Sequence, residues 1–181
     1  EVAAPGAARV SHSIAVGQRD YEIQRIDGLP DSQVSPDATA LERIARDSVA
    51  INATRLRTSD TPLFQGVFQW PLMGTLTGVY GSQRILNGAA RSPHLGTDIA
   101  APYGTPIRAP ADAVVVLVHD DMFFTGKTLI LDHGHGLTSV YAHMSHIAVS
   151  EGQSVTARQV IAAVGQSGRA TGPHLHWGVH L

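Results

Sequence analysis

Two histidines stand one residue apart in GPHLHWGV, residues 172–179, and another stands four residues before an aspartate in HLGTD, residues 94–98. Imidazole and carboxylate are the donors left for zinc in a chain without cysteine. A catalytic zinc site takes three protein ligands and keeps one position for water. His94 and Asp98 offer two of them. On a straight strand they would share a face but stand about 13 Å apart, too far for one ion. Gly96 between them lets the backbone bend and bring both to one centre. In HLH, His174 and His176 share a strand face with Cα atoms about 6.6 Å apart. With a Zn–N bond of about 2.0–2.1 Å, the pair fits better as one ligand and one close neighbour than as two ligands. Leu175 points the other way, into the core. His143, in VYAHM, has the strand parity of Tyr141 and is a candidate second acid/base group.

Other features are read more plainly. The Gly-rich stretch GQSGRATG, 165–172, can pass close to a ligand, but it lacks the Lys-Ser/Thr ending of a phosphate loop. HGH at 133–135 follows the run TLILD and reads as a hairpin tip, not a ligand pair. His119 and His146 read as surface residues, and His12 and His180 have no assigned role. Arg84 and Asn87 in SQRILNG, and Tyr141 beside His143, are candidates for substrate contact, although a plain loop and plain packing account for them equally well.

These residues must be positioned by a scaffold. The chain has 181 residues, 43% of them hydrophobic, enough for one core with a small appended unit. Its net charge is −2 and it has no Lys/Arg cluster, which argues against a nucleic-acid partner. The longest apolar run, AVVVLV from Ala113, is far too short to span a bilayer. Residues 1–12 read as a flexible tail. Residues 13–26 alternate around Gly17 and predict a hairpin. A helix is expected over 36–53, with Ser35 as N-cap, Pro36 in the first turn, and Leu41, Ile44, Ala45, Ser48 and Val49 on one face. These elements make 13–56 a small α+β domain, and RTSDTP, within 57–62, a linker. From Leu63 to Leu181, short β-branched runs alternate with turn signals and no amphipathic helix intervenes. The expectation is a mainly β fold, an antiparallel sandwich or open barrel.

HLGTD, YAH and GPHLHWGV, in that order, together with GTPIRAPADAVVV and TGKTLILDHGHG, resemble the zinc endopeptidases of the LytM/lysostaphin type, peptidase family M23. The resemblance is strong over about 65–181 and weaker over 13–55. It implies one Zn²⁺ held by His94, Asp98 and His176, with His143 and His174 as catalytic histidines. It also implies hydrolysis of peptide bonds in peptidoglycan cross-links or stem peptides. Loops 83–93 and 165–172 would wall the groove. A periplasmic, envelope or secreted location and a monomeric state go with this reading, as does a sheet that continues beyond Leu181. Two other readings stay open. One is a LytM-like module that activates another wall hydrolase. The other is a latent enzyme covered by its residues 1–62.

Overall fold

The computed structural model describes residues 13–18, 20–56 and 59–181. The expected tail at 1–12, with His12, therefore lies outside the described residues, as do Arg19, Arg57 and Thr58. Strand β1 (Ile23–Ile26), a single turn α1 (Asp31–Val34) and helix α2 (Ala38–Thr54) come first. Then follow β2 (Thr75–Gly78), β3 (Gln83–Leu86), β4 (Ala89–Ala90), β5 (Thr97–Ala100), β6 (Pro106–Arg108) and β7 (Ala113–Met122). The last five are β8 (Gly126–Asp132), β9 (Thr138–Ile147), β10 (Ser154–Val155), β11 (Val160–Val164) and β12 (His174–His180).

The fold is mainly β, as its strand-sized runs imply. A nine-stranded antiparallel sheet runs β10-β7-β8-β9-β12-β5-β2, with β11 joined to both β9 and β6. The order places β12 between β9 and β5, so the three strands that carry His143, His176 and Asp98 lie side by side. Beneath them, Ile99, Ile107, Leu129, Leu131, Tyr141, Met144, Ile161 and Leu175 form a fully buried core. Leu175 is in it, as strand alternation requires.

The expected hairpin over 13–26 is not formed. Residues 13–18 and 20–22 carry no strand, and β1 instead pairs in parallel with β3, in the register Ile23↔Gln83 to Ile26↔Leu86. Alternation marks a strand but says nothing of its partner, and here the partner is 60 residues away. Leu29, Val34 and Leu86 close a small core beneath this pairing.

The helix also differs at its start. Ser35 closes α1, donating its N–H to Asp31 O, and so is not available as a cap. Asp37 caps α2 instead, its carboxylate accepting from Ala40 N at 2.8 Å. The inward face differs too. Ala50 and Ile51 pack on Val116, Leu117, Met122 and Ile130, while Leu41 and Val49 are exposed. The docking is fixed by polar contacts at the other edge: Arg43 pairs with Asp121 at 2.8 Å and Asp47 accepts from Phe123 N at 2.7 Å.

The turn at 133–137 does join β8 to β9 as a hairpin. His133 is nonetheless wholly buried, with its Nδ1 on Asp112 O at 2.9 Å and its Nε2 on Ser139 Oγ at 2.7 Å.

Candidate active site

Register builds the centre of the site. Asp98 on β5 is the direct cross-strand partner of His176 on β12, so the two side chains rise from the same face. His176 Nδ1 lies 2.9 Å from Asp98 Oδ1. His94 arrives from the loop before β5. The chain bends at Gly96, and His94 N is anchored on Ser82 O at 2.9 Å. Its Nε2 stands 2.9 Å from His176 Nδ1 and 3.0 Å from Asp98 Oδ1.

Glycine serves this arrangement twice by leaving space. A Cβ at Gly96 would lie 2.7 Å from His176 Cε1 and 2.7 Å from Trp177 O. A Cβ at Gly78, opposite Asp98 on β2, would lie 2.6 Å from Asp98 Oδ2.

The donor set fits a small divalent cation. His94 Nδ1 is 3.2 Å from Val79 O. A carbonyl only accepts, so Nδ1 carries the proton and Nε2 presents a lone pair. That lone pair and Asp98 Oδ1 are two acceptors 3.0 Å apart, an arrangement that calls for a positive charge between them. The donor separations of 2.9–3.0 Å are close to the roughly 3.3 Å expected between ligands of a tetrahedral ion with bonds near 2.0 Å. All three ligand atoms lie within 4.8 Å of one another, and His94 and Asp98 are buried.

His143 and His174 stand beside this trio with ring centroids 4.7 Å apart. His174 Nδ1 is 2.9 Å from Gly172 O, and His143 Nδ1 is 2.8 Å from Ser167 O. By the same argument both Nδ1 atoms are protonated and both Nε2 atoms are acceptors. His174 Nε2 lies 3.9 Å from Asp98 Oδ1. His143 sits where β9 changes partners: Ala142 pairs with β12, while Met144 pairs with β11. The changeover requires a kink, and His143 adopts the left-handed conformation there, with φ +64°. Sequence reasoning gave no sign of Ser167. Its carbonyl fixes the His143 ring, while its hydroxyl donates to Met144 O and accepts from Lys127 N.

A cavity of about 250 Å³ opens beside these histidines, lined by Asp98, His143, His174, Arg84 and Arg169. Its far wall comes from the N-terminal segment through Gln24, Ile26 and Leu29. Arg84 reaches Asp98 Oδ2 and donates to Gln24 Oε1 at 3.2 Å. Of the other expected contact residues, Asn87 lies outside the cavity, its amide engaged with both N and O of Leu29. Tyr141 is wholly buried and bonded to Ser139 Oγ at 2.9 Å. Of the two expected loop walls, 165–172 lines the cavity through Arg169–Gly172, and 83–93 through Arg84 and Leu86.

Electrostatics follow from burial and neighbours. Burial alone would raise the pKa of Asp98. The hydrogen bond from His176, with the Arg84 charge, overcomes it and holds the carboxyl well below the usual range. Burial, then the neighbouring His174, pushes His143 down to about 3. His176 is lowered chiefly by burial, against the pull of Asp98.

The model of Peptidase family M23 matches residues 92–181, which hold every histidine and carboxylate of this centre. Peptidoglycan DD-endopeptidase ShyA of Vibrio cholerae is 42% identical over 86 residues, 48% of this chain and 20% of that protein. The chain thus spans about a fifth of the length of that relative. The catalytic domain of the prophage-encoded M23 protein EnpA from Enterococcus faecalis, crystallised as its A109H mutant, superposes with a TM-score of 0.54 at 34% identity. That match covers 64% of this chain and 88% of that domain. A zinc-containing peptidase from Vibrio cholerae matches with a TM-score of 0.59 at 34% identity, over 63% of this chain and 36% of that one.

Proposed function

The chain belongs to peptidase family M23, and from that premise we propose that it is a zinc metalloendopeptidase that hydrolyses peptide bonds of peptidoglycan, in cross-links or stem peptides. The observation that carries the reading is the convergence of His94, Asp98 and His176 within 4.8 Å, with the His143–His174 pair alongside. Relatives named as peptidoglycan DD-endopeptidases and a zinc-containing peptidase support substrate class and metal. Peptidoglycan lies outside the cytoplasmic membrane, so the activity belongs in the periplasm, the envelope or outside the cell. Residues 13–56 are read as a small α+β unit and 63–181 as the catalytic unit.

His94, Asp98 and His176 would hold the ion. When bound, zinc lowers the pKa of water toward about 7 and polarises a carbonyl. The protein groups do the rest. His174, with its Nε2 lone pair turned toward Asp98, takes the proton of the attacking water. The imidazolium so formed can return that proton to the departing amine. His143, neutral at rest and clamped by Ser167 O, offers a second Nε2 acceptor that aligns the water or a substrate N–H. Arg84 restrains Asp98 Oδ2 and thereby aims Oδ1 at the centre.

Incubating zinc-loaded protein with sacculi and resolving the released muropeptides tests this. New free amines from opened cross-links or shortened stems are expected. Intact muropeptides with zinc bound would reject it. A latent state is favoured by one observation, the N-terminal wall of the cavity. Equal rates for the 1–181 and 63–181 chains would remove it.

A further inference from the structure

We propose, on the basis of that peptidase reading, that Arg84 and Arg169 form a subsite for a free carboxylate of the substrate, next to the bond that is cut. Both guanidinium-bearing residues line the cavity that holds His143 and His174. Asp98 is the one carboxylate among the lining residues, and it faces the metal-ligand trio.

Arg169 has no carboxylate partner among the described residues. Its guanidinium lies 4.2 Å from the centroid of the Phe124 ring and gives one hydrogen bond, to Gln33 O at 3.3 Å. An arginine has five N–H donors in a planar fork. Stacking on a ring occupies a face and leaves the donor edges, the geometry that takes a carboxylate in two parallel bonds.

Arg84 is similarly underused once the metal is present. Its carboxylate partner is Asp98, whose charge an ion would draw on. A third arginine, Arg91, stands close behind with Val34 O as its acceptor. Burial and the charges of Arg84 and Arg91 depress the pKa of Arg169 to about 10. Three guanidinium groups near one another, of which Arg84 alone has a carboxylate partner among the described residues, favour an arriving anion.

The competing account is that these arginines only pin the N-terminal segment, since Gln24, Gln33 and Val34 each accept from one of them. A pin predicts no preference among ligands, whereas a subsite does. The chemistry sought is a peptide with a free carboxylate one residue beyond the scissile bond. Oligopeptides ending in D-alanine are a simple version of it.

The test measures binding of N-acetyl-D-Ala-D-Ala and of its C-terminal amide to the zinc-loaded chain by NMR titration. The acid is expected to bind about tenfold more tightly than the amide. That ratio should fall to about one in Arg169→Gln and shrink in Arg84→Gln. Arg169→Lys should restore part of it, because the charge is kept. Zinc content, measured on each variant, shows whether the centre is intact. Equal affinity for acid and amide in the parent chain overturns the subsite, as does a preference that survives Arg169→Gln, since zinc alone then explains it. Acid preference without any cleavage of sacculi would reject the peptidase reading and leave the subsite standing. Cleavage without acid preference would do the reverse.

Discussion

Gly96→Ala isolates the role of empty space at the centre. The new methyl carbon would sit 2.7 Å from His176 Cε1, 2.8 Å from His176 Nε2 and 2.7 Å from Trp177 O. Comfortable carbon contacts lie near 3.5–4.0 Å, so something must move by about 0.8 Å. Trp177 is paired with both Thr97 and Tyr141 in the sheet, so its backbone yields little, and the His176 ring takes up the displacement. Metal–ligand distances tolerate about 0.2 Å. A shift several times larger should weaken zinc binding by about 10–100-fold, the range seen when groups supporting metal ligands are lost. Stability changes in the same direction. Overpacking costs about 1–3 kcal/mol, and stiffening the unfolded chain returns about 0.4–1 kcal/mol. The net loss is about 1–2 kcal/mol, or roughly 2–8 °C in Tm for a chain of this size. Zinc competition with a chromophoric chelator and thermal unfolding of the metal-free chain measure the two effects. Gly172→Ala, whose Cβ would meet nothing within 4 Å, is the control and should keep its zinc affinity. Unchanged zinc affinity in Gly96→Ala would refute the claim that His176 is held in place by the missing side chain.

Three further outcomes are expected. His176→Ala should lose zinc by elemental analysis, while His174→Ala should retain it and lose turnover by about 10²–10⁴-fold; an empty site in His174→Ala would reverse the two roles. His133 is pushed below its usual value of 6.5 by burial, so the unfolded chain binds its proton first. Stability from this residue is complete above about pH 6.5 and declines as pH falls below it, by at most about 1.4 kcal/mol per unit for one proton. Asp132 nearby partly offsets the shift, and His133→Gln should flatten the urea midpoint between pH 6.5 and 5. Asp37→Ala removes the α2 cap and should cost about 1 kcal/mol in urea unfolding, whereas Ser35→Ala should cost less than half of that.

The clustering of His94, Asp98 and His176 was legible in part: a bend at Gly96 reconciles His94 with Asp98, and strand parity puts His174 and His176 on one face, but only the family resemblance told a ligand from its neighbour. What the sequence could not show depends on partners far along the chain. β1 looks like half of a local hairpin, yet its register is set by β3, 60 residues on. Arg169 lies in a loop noticed for its glycines, and its importance comes from Phe124 and Arg84, which no spacing rule brings near it. Ser167 acts through its carbonyl, and every residue type has one. The α2 cap was misplaced by two residues because Ser35 had already been taken by the turn before it.

On the peptidase reading, the kink at His143 sets activity against backbone comfort. An L-residue in the left-handed region costs about 1–2 kcal/mol relative to glycine. His143 bears that cost where one strand leaves β12 for β11. Gly or Asn at 143 would relieve that backbone cost but give up the buried ring and its hydrogen bond to Ser167 O, and on the peptidase reading would remove a catalytic group. A library at this codon ranked by backbone comfort alone would therefore discard the side chain on which the proposed activity depends.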